Sequence, residues 1–211
     1  MPSQATQTYS LLRADIETLV GLQSVPGQPE RSTDASEPLL RAVVVLLVTA
    51  WENYVEQAVS EAFEHVMSII EEPRSLSSHM QGVLSRAAKE DVWSVTGVQW
   101  RRVVVAEAAT LIKKLNNAAS VQVNELMAKV LGLPSFLSAV TWVGSPAANV
   151  EGDLKSLVND VRGEIVHKGR TPSALNVSGL AEWRSFVDKL VAETDRALAA
   201  QIQAAWGSQP W

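Results

Sequence analysis

The longest helical pattern in the chain begins with Leu39-Leu40-Arg41-Ala42-Val43-Val44-Val45-Leu46-Leu47-Val48-Thr49-Ala50-Trp51. Apolar residues then recur at three- and four-residue steps through Ile70, which is the spacing of a buried helical face sustained for about nine turns. Pro73 forbids continuation of the helix. The run from Ala42 to Val48 is apolar on all sides, so we predict that it is buried on more than one side. The pattern predicts the central core helix of the protein.

Shorter helical patterns fill the rest of the chain, separated by glycine and proline. Helices are predicted at residues 5–22, 98–115, 121–131 and 148–168, with one or two short helices within 74–97 and a short helical segment at 134–142. The long helix is expected to start at Ser36 or Glu37 with Pro38 in its first turn, and the terminal helix to be capped by Ser178. No strand pattern appears in the sequence. The predicted fold class is therefore all-α, an up-and-down helical bundle with additional helices.

The chain is expected to form a single domain over residues 1–211, because no interior linker is long enough to separate two cores. Within it, residues 1–37 are predicted to be an N-terminal helix and loop, and residues 38–206 a core bundle. The proline- and glycine-rich segment 24–30 is the clear loop near the start. It is either a surface connection or a mobile arm.

Composition limits the class of protein. Hydrophobic residues make up 46% of the 211 residues and charged residues 19%, which allows a sizeable core and excludes global disorder. The absence of cysteine removes disulfides, thiolate nucleophiles and Cys-based zinc sites. A formal charge of -5 argues against general coating of nucleic acid, so any RNA contact must be local. Without a signal-peptide pattern or an apolar run of membrane-spanning length, we expect a cytoplasmic protein with no membrane partner.

A second stretch carries the candidate chemistry and reads Val158-Asn159-Asp160-Val161-Arg162-Gly163-Glu164-Ile165-Val166-His167-Lys168-Gly169-Arg170-Thr171-Pro172. It has the pattern of the last turns of an amphipathic helix with one buried stripe. The stripe consists of Leu154, Leu157, Val158, Val161 and Ile165. Gly169 lies where a left-handed helix cap is expected, and Pro172 prevents continuation.

Two side chains of this helix lie away from the buried stripe. At about 100° per residue from Val161, Arg162 falls near 100° and His167 near 240°. The sector between them holds Asn159, Gly163 and Val166. Glycine inside a helix costs on the order of 1 kcal/mol relative to alanine. Either this face meets another backbone, such as the same helix of a second subunit across a two-fold axis, or Gly163 is a tolerated surface residue.

The chemistry of this segment suits a phosphate and a proton transfer. Histidine is the side chain that titrates near neutral pH, and Glu164, three residues before His167, is expected to support its charged form. Arg162, Lys168 and Arg170 complete a basic patch able to hold phosphate. The alternative is that His167 is only a favourable residue at a helix C-terminus.

The order of the segments resembles the HEPN superfamily, and in particular its RiboL-PSP-HEPN subgroup. That superfamily carries an arginine followed, four to six residues later, by a histidine on a late helix, as Arg162 and His167 do here. The resemblance covers about residues 38–205. Its other elements are Arg41–Leu47, Trp51–Glu56, Leu131–Leu133 and Thr194–Leu198. The resemblance implies an all-α bundle of the HEPN type.

The resemblance also implies a metal-independent endoribonuclease of the toxin or phage-defence type, without a cofactor. Arg162 and His167 are then the catalytic pair, Lys168 and Arg170 bind substrate, and Glu164 and Asn159 support them. A homodimer is implied, in which two such pairs share one cleft and Gly163 and Val166 form the contact. The implied partners are an RNA substrate and an antitoxin or defence-system protein.

Other interpretations remain open from the sequence. Family members usually carry a polar residue directly after the arginine, and Gly163 in that place favours a non-catalytic HEPN-like module that binds RNA or protein. The spacing of Glu164 and His167 matches half of a di-iron motif, but no second Glu-x-x-His exists. The pairs Arg101-Arg102 and Lys113-Lys114 either extend an RNA track or form solvated helix faces. His65 and His79 have no ligand-spaced partners and are expected to be structural.

Overall fold

The structure of the protein is a computed structural model that describes residues 1–21, 33–172 and 175–211. Within these ranges its α-helices are α1 (Gln4–Gly21), α2 (Thr33–Ile69), α3 (Ser78–Glu90), α4 (Trp100–Lys113), α5 (Ser120–Leu131), α6 (Ala147–Lys155), α7 (Arg162–Lys168) and α8 (Val177–Trp206). Short 3-10 turns occur at Pro73–Ser75, Val92–Val95 and Phe136–Ala139, and a π-helix at Ser156–Val161. The described residues contain no β-strand, so the all-α prediction is confirmed.

Helix α2 lies at the centre of the bundle and packs against α1, α4, α5, α7 and α8. Trp51 and Tyr54 are fully buried in it and stack with ring centroids 5.7 Å apart, which confirms that both belong to the core. By length and composition alone, the segment Glu37–Ile69 could cross a membrane. The burial of its apolar residues against five neighbouring helices accounts for that composition. Within the run from Ala42 to Val48, burial extends over more than one side, at Val43, Val44, Leu47 and Val48. Ala42 and Leu46 lie on the remaining, exposed side.

Both ends of α2 differ from the simplest expectation. The helix begins at Thr33, three residues before the earliest predicted start, so Pro38 lies inside it and not in its first turn. The predicted loop at 24–30 lies outside the described residues. At the other end, the Arg101 guanidinium donates hydrogen bonds to the carbonyl oxygens of Met67 and Ile70. The last carbonyls of a helix have no partner within it, so Arg101 caps the C-terminal end of α2.

The N-terminal helix α1 is built into the same core, to which it contributes Ala5, Tyr9 and Ile16. The Glu61 carboxylate accepts the backbone N–H groups of Gln4 and Ala5 at 3.0 and 3.2 Å, and so caps the first turn of α1. Buried Asp195 of α8 accepts hydrogen bonds from Ser3 and, at 2.9 Å, from the hydroxyl of Thr6. The Tyr54 hydroxyl lies 3.4 Å from the same carboxylate. These contacts join α1, α2 and α8.

The helix ends follow from local sequence in two cases and not in a third. Gly132 after α5 and Gly169 after α7 adopt left-handed conformations, with φ of 70° and 64°, as their positions predict. The predicted cap of α8 is wrong. Asn176, and not Ser178, is the capping residue, because its side chain accepts the backbone N–H of Gly179 at 2.9 Å.

Candidate functional site

The helix that was predicted to run unbroken from 148 to 168 is interrupted by a π-helix. The chain passes from α6 through the π-helical segment Ser156–Val161 into α7, whose first residue is Arg162. Leu157 and Val158 of the π-helical segment are both buried. Mid-helix π segments are rare and are frequent at functional sites. The interruption sets the position from which Arg162 projects.

Arg162 and His167 differ in exposure, although the sequence predicts that both lie away from the buried stripe. Arg162 is half-buried on the side of α7 that approaches α2, and His167 is exposed in the last turn of the seven-residue helix. The side chain of Arg162 makes no ion pair or hydrogen bond to any residue that the structure describes. The guanidinium is therefore held by packing and by longer-range electrostatics. Its donors remain available to a ligand.

The carboxylate of Glu52 on α2 interacts electrostatically with Arg162. Glu52 is half-buried, and its Oε1 atom is buried without a hydrogen-bond partner among the described residues. Burial raises the pKa of Glu52, and the positive charge of Arg162 opposes that rise. The helical periodicity of α2 assigns no role to Glu52. An acidic residue directly after Trp51 in a core-forming helical pattern is the signal that could have found it.

The loop between α4 and α5 holds Glu52 and the π-helix together. The Trp51 indole N–H donates to the Ala118 carbonyl oxygen at 2.8 Å. The Asn117 side-chain amide donates to Oδ1 of Asn159 at 3.0 Å, and its own Oδ1 accepts the backbone N–H of Ala119 at 3.1 Å. Asn159, predicted to support the catalytic pair, thus links the π-helix to this loop.

A second clamp fixes the chain that follows α7. The Thr171 hydroxyl donates to Oε2 of Glu37 at 2.8 Å and accepts from Nη1 of Arg41 at 2.8 Å. Glu37 and Arg41 lie near the start of α2, whereas Glu52 lies four turns further along it. Helix α7 is therefore tied to α2 near both of its ends. Sequence periodicity gave no sign of Thr171.

An open depression of about 420 Å³ lies along the exposed face of α7. Its lining includes Asn159, Gly163, Glu164, His167, Lys168 and Pro172, but not Arg162. One chain therefore does not bring Arg162 and His167 into the same depression. A Cβ atom at Gly163 would meet no other atom within 4 Å, and Val166 is 48% exposed. The face predicted to contact a second subunit is open in the single chain.

The charged residues of the predicted patch divide into two groups. The Lys168 ammonium lies 3.1 Å from Oε1 of Glu164, so the structure pairs Glu164 with Lys168 and not with His167 as expected. Both side chains are solvent-exposed, and such a pair is worth only a few tenths of a kcal/mol. Lys168 can therefore leave Glu164 for a phosphate. Arg170 is exposed and makes no ion pair within the described part of the chain.

The remaining histidines lie apart from this site. Nε2 of His79 is 2.9 Å from Oε1 of Glu107, and His65 has a buried Nε2 without a hydrogen-bond partner among described residues. In residues 1–21, 33–172 and 175–211, no three His, Asp or Glu side chains are grouped so that they could hold a metal ion. The site is therefore built from Arg162, His167 and the residues around them.

Comparison with protein families identifies the family to which this helical chain belongs. The family model of RiboL-PSP-HEPN matches residues 12–200, which include every element of the site. The chain belongs to the RiboL-PSP-HEPN family. HEPN domains are generally ribonucleases or RNA-binding modules, and they typically act on RNA as dimers. No curated protein and no solved structure matches the chain.

In this HEPN chain, the environment of Glu52 leads to a prediction about pH. The raised pKa means that the folded protein binds this proton more tightly than the unfolded chain does. The stability that this proton contributes is fully present below the pKa of Glu52 in the unfolded chain. It is lost as the pH rises through the pKa of Glu52 in the folded protein. Glu52→Gln removes that loss. Its Tm should exceed that of the wild type by roughly 2 °C near neutral pH and converge with it in acid, as thermal melts across this range would show.

The control for this prediction is Glu71→Gln, which alters an exposed carboxylate beyond the end of α2. Its melting curve should follow that of the wild type at every pH. A constant difference in Tm between Glu52→Gln and the wild type, independent of pH, would show that burial does not raise the pKa of Glu52.

Proposed function

We propose that this HEPN protein is a metal-independent endoribonuclease with Arg162 and His167 as its catalytic pair. The observation that carries the proposal is their placement on one short helix. The arginine is half-buried with its donors unused by described residues, and the histidine is exposed on an open depression. HEPN domains are generally ribonucleases or RNA-binding modules, which makes RNA the expected substrate. Arg162 provides a phosphate-binding cation, and His167 provides a proton-transfer group.

The proposed reaction uses the RNA's own 2'-hydroxyl as nucleophile. A base removes the 2'-hydroxyl proton as the 2'-oxygen bonds to the adjacent phosphorus. The bond from phosphorus to the 5'-oxygen then breaks, and an acid protonates that oxygen. His167 serves these proton transfers, and Arg162 stabilises the charge that develops on the phosphorane oxygens. The products are a 2',3'-cyclic phosphate, which can open to a 3'-phosphate, and a 5'-hydroxyl.

The angle between the two side chains favours a composite site. Five residues along an α-helix correspond to a rotation of about 500°, which leaves the two side chains roughly 140° apart. A homodimer in which two α7 helices approach near Gly163 and Val166 brings two such pairs into one cleft. The open space at Gly163 and the exposure of Val166 support this contact. Two copies of His167 then supply both a base and an acid.

The substrate contacts of this site are local, as the net charge of -5 requires. Lys168 and Arg170 are exposed directly after the catalytic pair and are the proposed contacts to flanking phosphates. The cellular role that fits an unguided ribonuclease of this kind is that of a toxin or phage-defence effector in the cytoplasm. An antitoxin or defence-system protein is then the partner that restrains it.

The second candidate function is a non-catalytic HEPN module that binds RNA or a protein. The absence of a polar residue after Arg162 favours it, because Gly163 offers no side chain to position the scissile phosphate. The pairing of Glu164 with Lys168 also reduces the local positive charge. The two candidates differ in whether covalent bonds in RNA are broken.

Purified wild-type protein is expected to cleave total and structured RNA in the presence of EDTA. The expectation follows because Arg162 and His167 supply the charge and proton transfers without a metal ion. Gel analysis with end-labelled RNA should show cyclic or 3'-phosphate ends and 5'-hydroxyl ends. Intact RNA across a broad panel, with binding retained, would instead support the non-catalytic module. Cleavage that EDTA abolishes would contradict the proposed mechanism.

A further inference from the structure

A second depression lies beside the candidate site, between the end of α4 and the start of α5. It has a volume of about 200 Å³, and we call it the α4–α5 pocket. Three leucines form the apolar part of its lining: Leu111, Leu115 and Leu126. Lys114, Asn116 and Gln122 supply polar groups. All three of these polar side chains are exposed, and none makes a hydrogen bond or ion pair to another described residue.

The α4–α5 pocket adjoins the depression that contains His167. Asn117 lines the pocket, and Asn159 lines the His167 depression. Their side chains are hydrogen-bonded at 3.0 Å, so the linings of the two depressions are in contact at this pair. The loop that carries Asn117 is fixed by the bond from Trp51 to Ala118. A polymer bound along the exposed face from His167 to Asn159 can therefore continue into the α4–α5 pocket.

The chemistry of the pocket fits one nucleotide of single-stranded RNA. The leucines offer an apolar surface for a base, and the amides of Asn116 and Gln122 each present a donor and an acceptor to a base edge. The Lys114 ammonium can contact a phosphate. Lys129, the other cation of the lining, is already paired with Glu125 at 3.1 Å. The net charge of the lining, from two lysines and one glutamate, is positive.

The size of the pocket argues against a separate small-molecule ligand. Sites that enclose a whole ligand typically measure about 300–1,000 Å³, whereas this pocket, at about 200 Å³, can take one base of a strand whose sugar and phosphate stay outside it. We propose that the α4–α5 pocket binds an unpaired nucleotide next to the scissile bond and gives the enzyme its preference among RNA sequences. This proposal rests on the proposed function, because it assigns a subsite to the same substrate.

The test compares Lys114→Glu and Gln122→Ala with the wild type on end-labelled single-stranded RNA. Lys114→Glu is expected to raise KM about tenfold and leave kcat within about twofold, because a contact made equally in the ground and transition states is lost. Gln122→Ala is expected to change the bases found next to the cleavage positions. The matched control is Lys89→Glu, which reverses another exposed lysine at a helix end, and should leave both properties unchanged.

The outcomes test the nucleotide pocket separately from the ribonuclease activity. If the wild type cleaves RNA but Lys114→Glu matches Lys89→Glu in KM and Gln122→Ala leaves the cleavage positions unchanged, the pocket is not a subsite. If the wild type cleaves no RNA, fluorescence anisotropy with labelled oligonucleotides gives the answer. Weaker binding by Lys114→Glu alone then supports the pocket while the ribonuclease proposal fails. Equal binding by all variants overturns the pocket as well.

Discussion

His167→Ala is expected to lower the rate of RNA cleavage by about 10²–10⁴-fold while RNA binding stays close to that of the wild type. Proton transfer by a positioned side chain contributes about this much to catalysis, and it acts only in the transition state. His167 is exposed and makes no hydrogen bond to a described residue, so its removal should not alter the fold. Single-turnover cleavage and anisotropy binding on the same RNA measure the two effects separately.

A comparison variant and a control variant are needed to interpret the result for His167→Ala. Arg162→Ala should weaken both binding and cleavage, because the guanidinium contacts phosphate in the ground state and in the transition state. His79→Ala removes a histidine that is paired with Glu107 outside the site, and it should change neither. Equal cleavage by wild type and His167→Ala would remove His167 from the mechanism.

The sequence was sufficient to locate helix α7 because the residues that define the helix lie close together along the chain. Gly169 ends α7 through a left-handed conformation, and the apolar stripe from Leu154 to Ile165 faces the core. The start of α2 was missed because residues 33–37 are mostly polar, and an apolar periodicity does not mark a polar first turn. The exposure of Ala42 and Leu46 was missed because an apolar run does not show which sides have neighbours.

The parts of the site that were missed depend on contacts between distant segments. Glu52 is significant because Ala118 and Arg162 approach it, and those residues lie 66 and 110 positions further along the chain. The link from Asn117 to Asn159 likewise joins a loop to the π-helix. The π-helix itself could not be predicted, since the spacing of Leu157, Val158 and Val161 fits an α-helical stripe equally well. Periodicity reports which face is buried and not what it meets.

Gly163→Glu is expected to convert a dimeric wild type into a monomer and to abolish cleavage. In a single chain the new side chain meets open space, and glutamate is a better helix former than glycine by roughly 0.5–1 kcal/mol, so α7 should persist. Across a two-fold axis the substitution occurs twice and places like charges opposite each other. Such a juxtaposition costs several kcal/mol, or about 100-fold or more in dimer affinity. Light scattering at micromolar concentration reports the mass.

A charge-swap experiment distinguishes loss of the dimer from direct damage to Arg162. Gly163→Lys should also be monomeric and inactive alone, because two lysines repel across the axis as two glutamates do. Mixing Gly163→Glu with Gly163→Lys pairs opposite charges and should restore both the dimer mass and part of the cleavage activity. Gly163→Ala, which adds only a methyl group, should remain dimeric. A wild-type monomer at micromolar concentration, or an unchanged dimer for Gly163→Glu, would show that α7 does not form the interface and that catalysis must be completed within one chain.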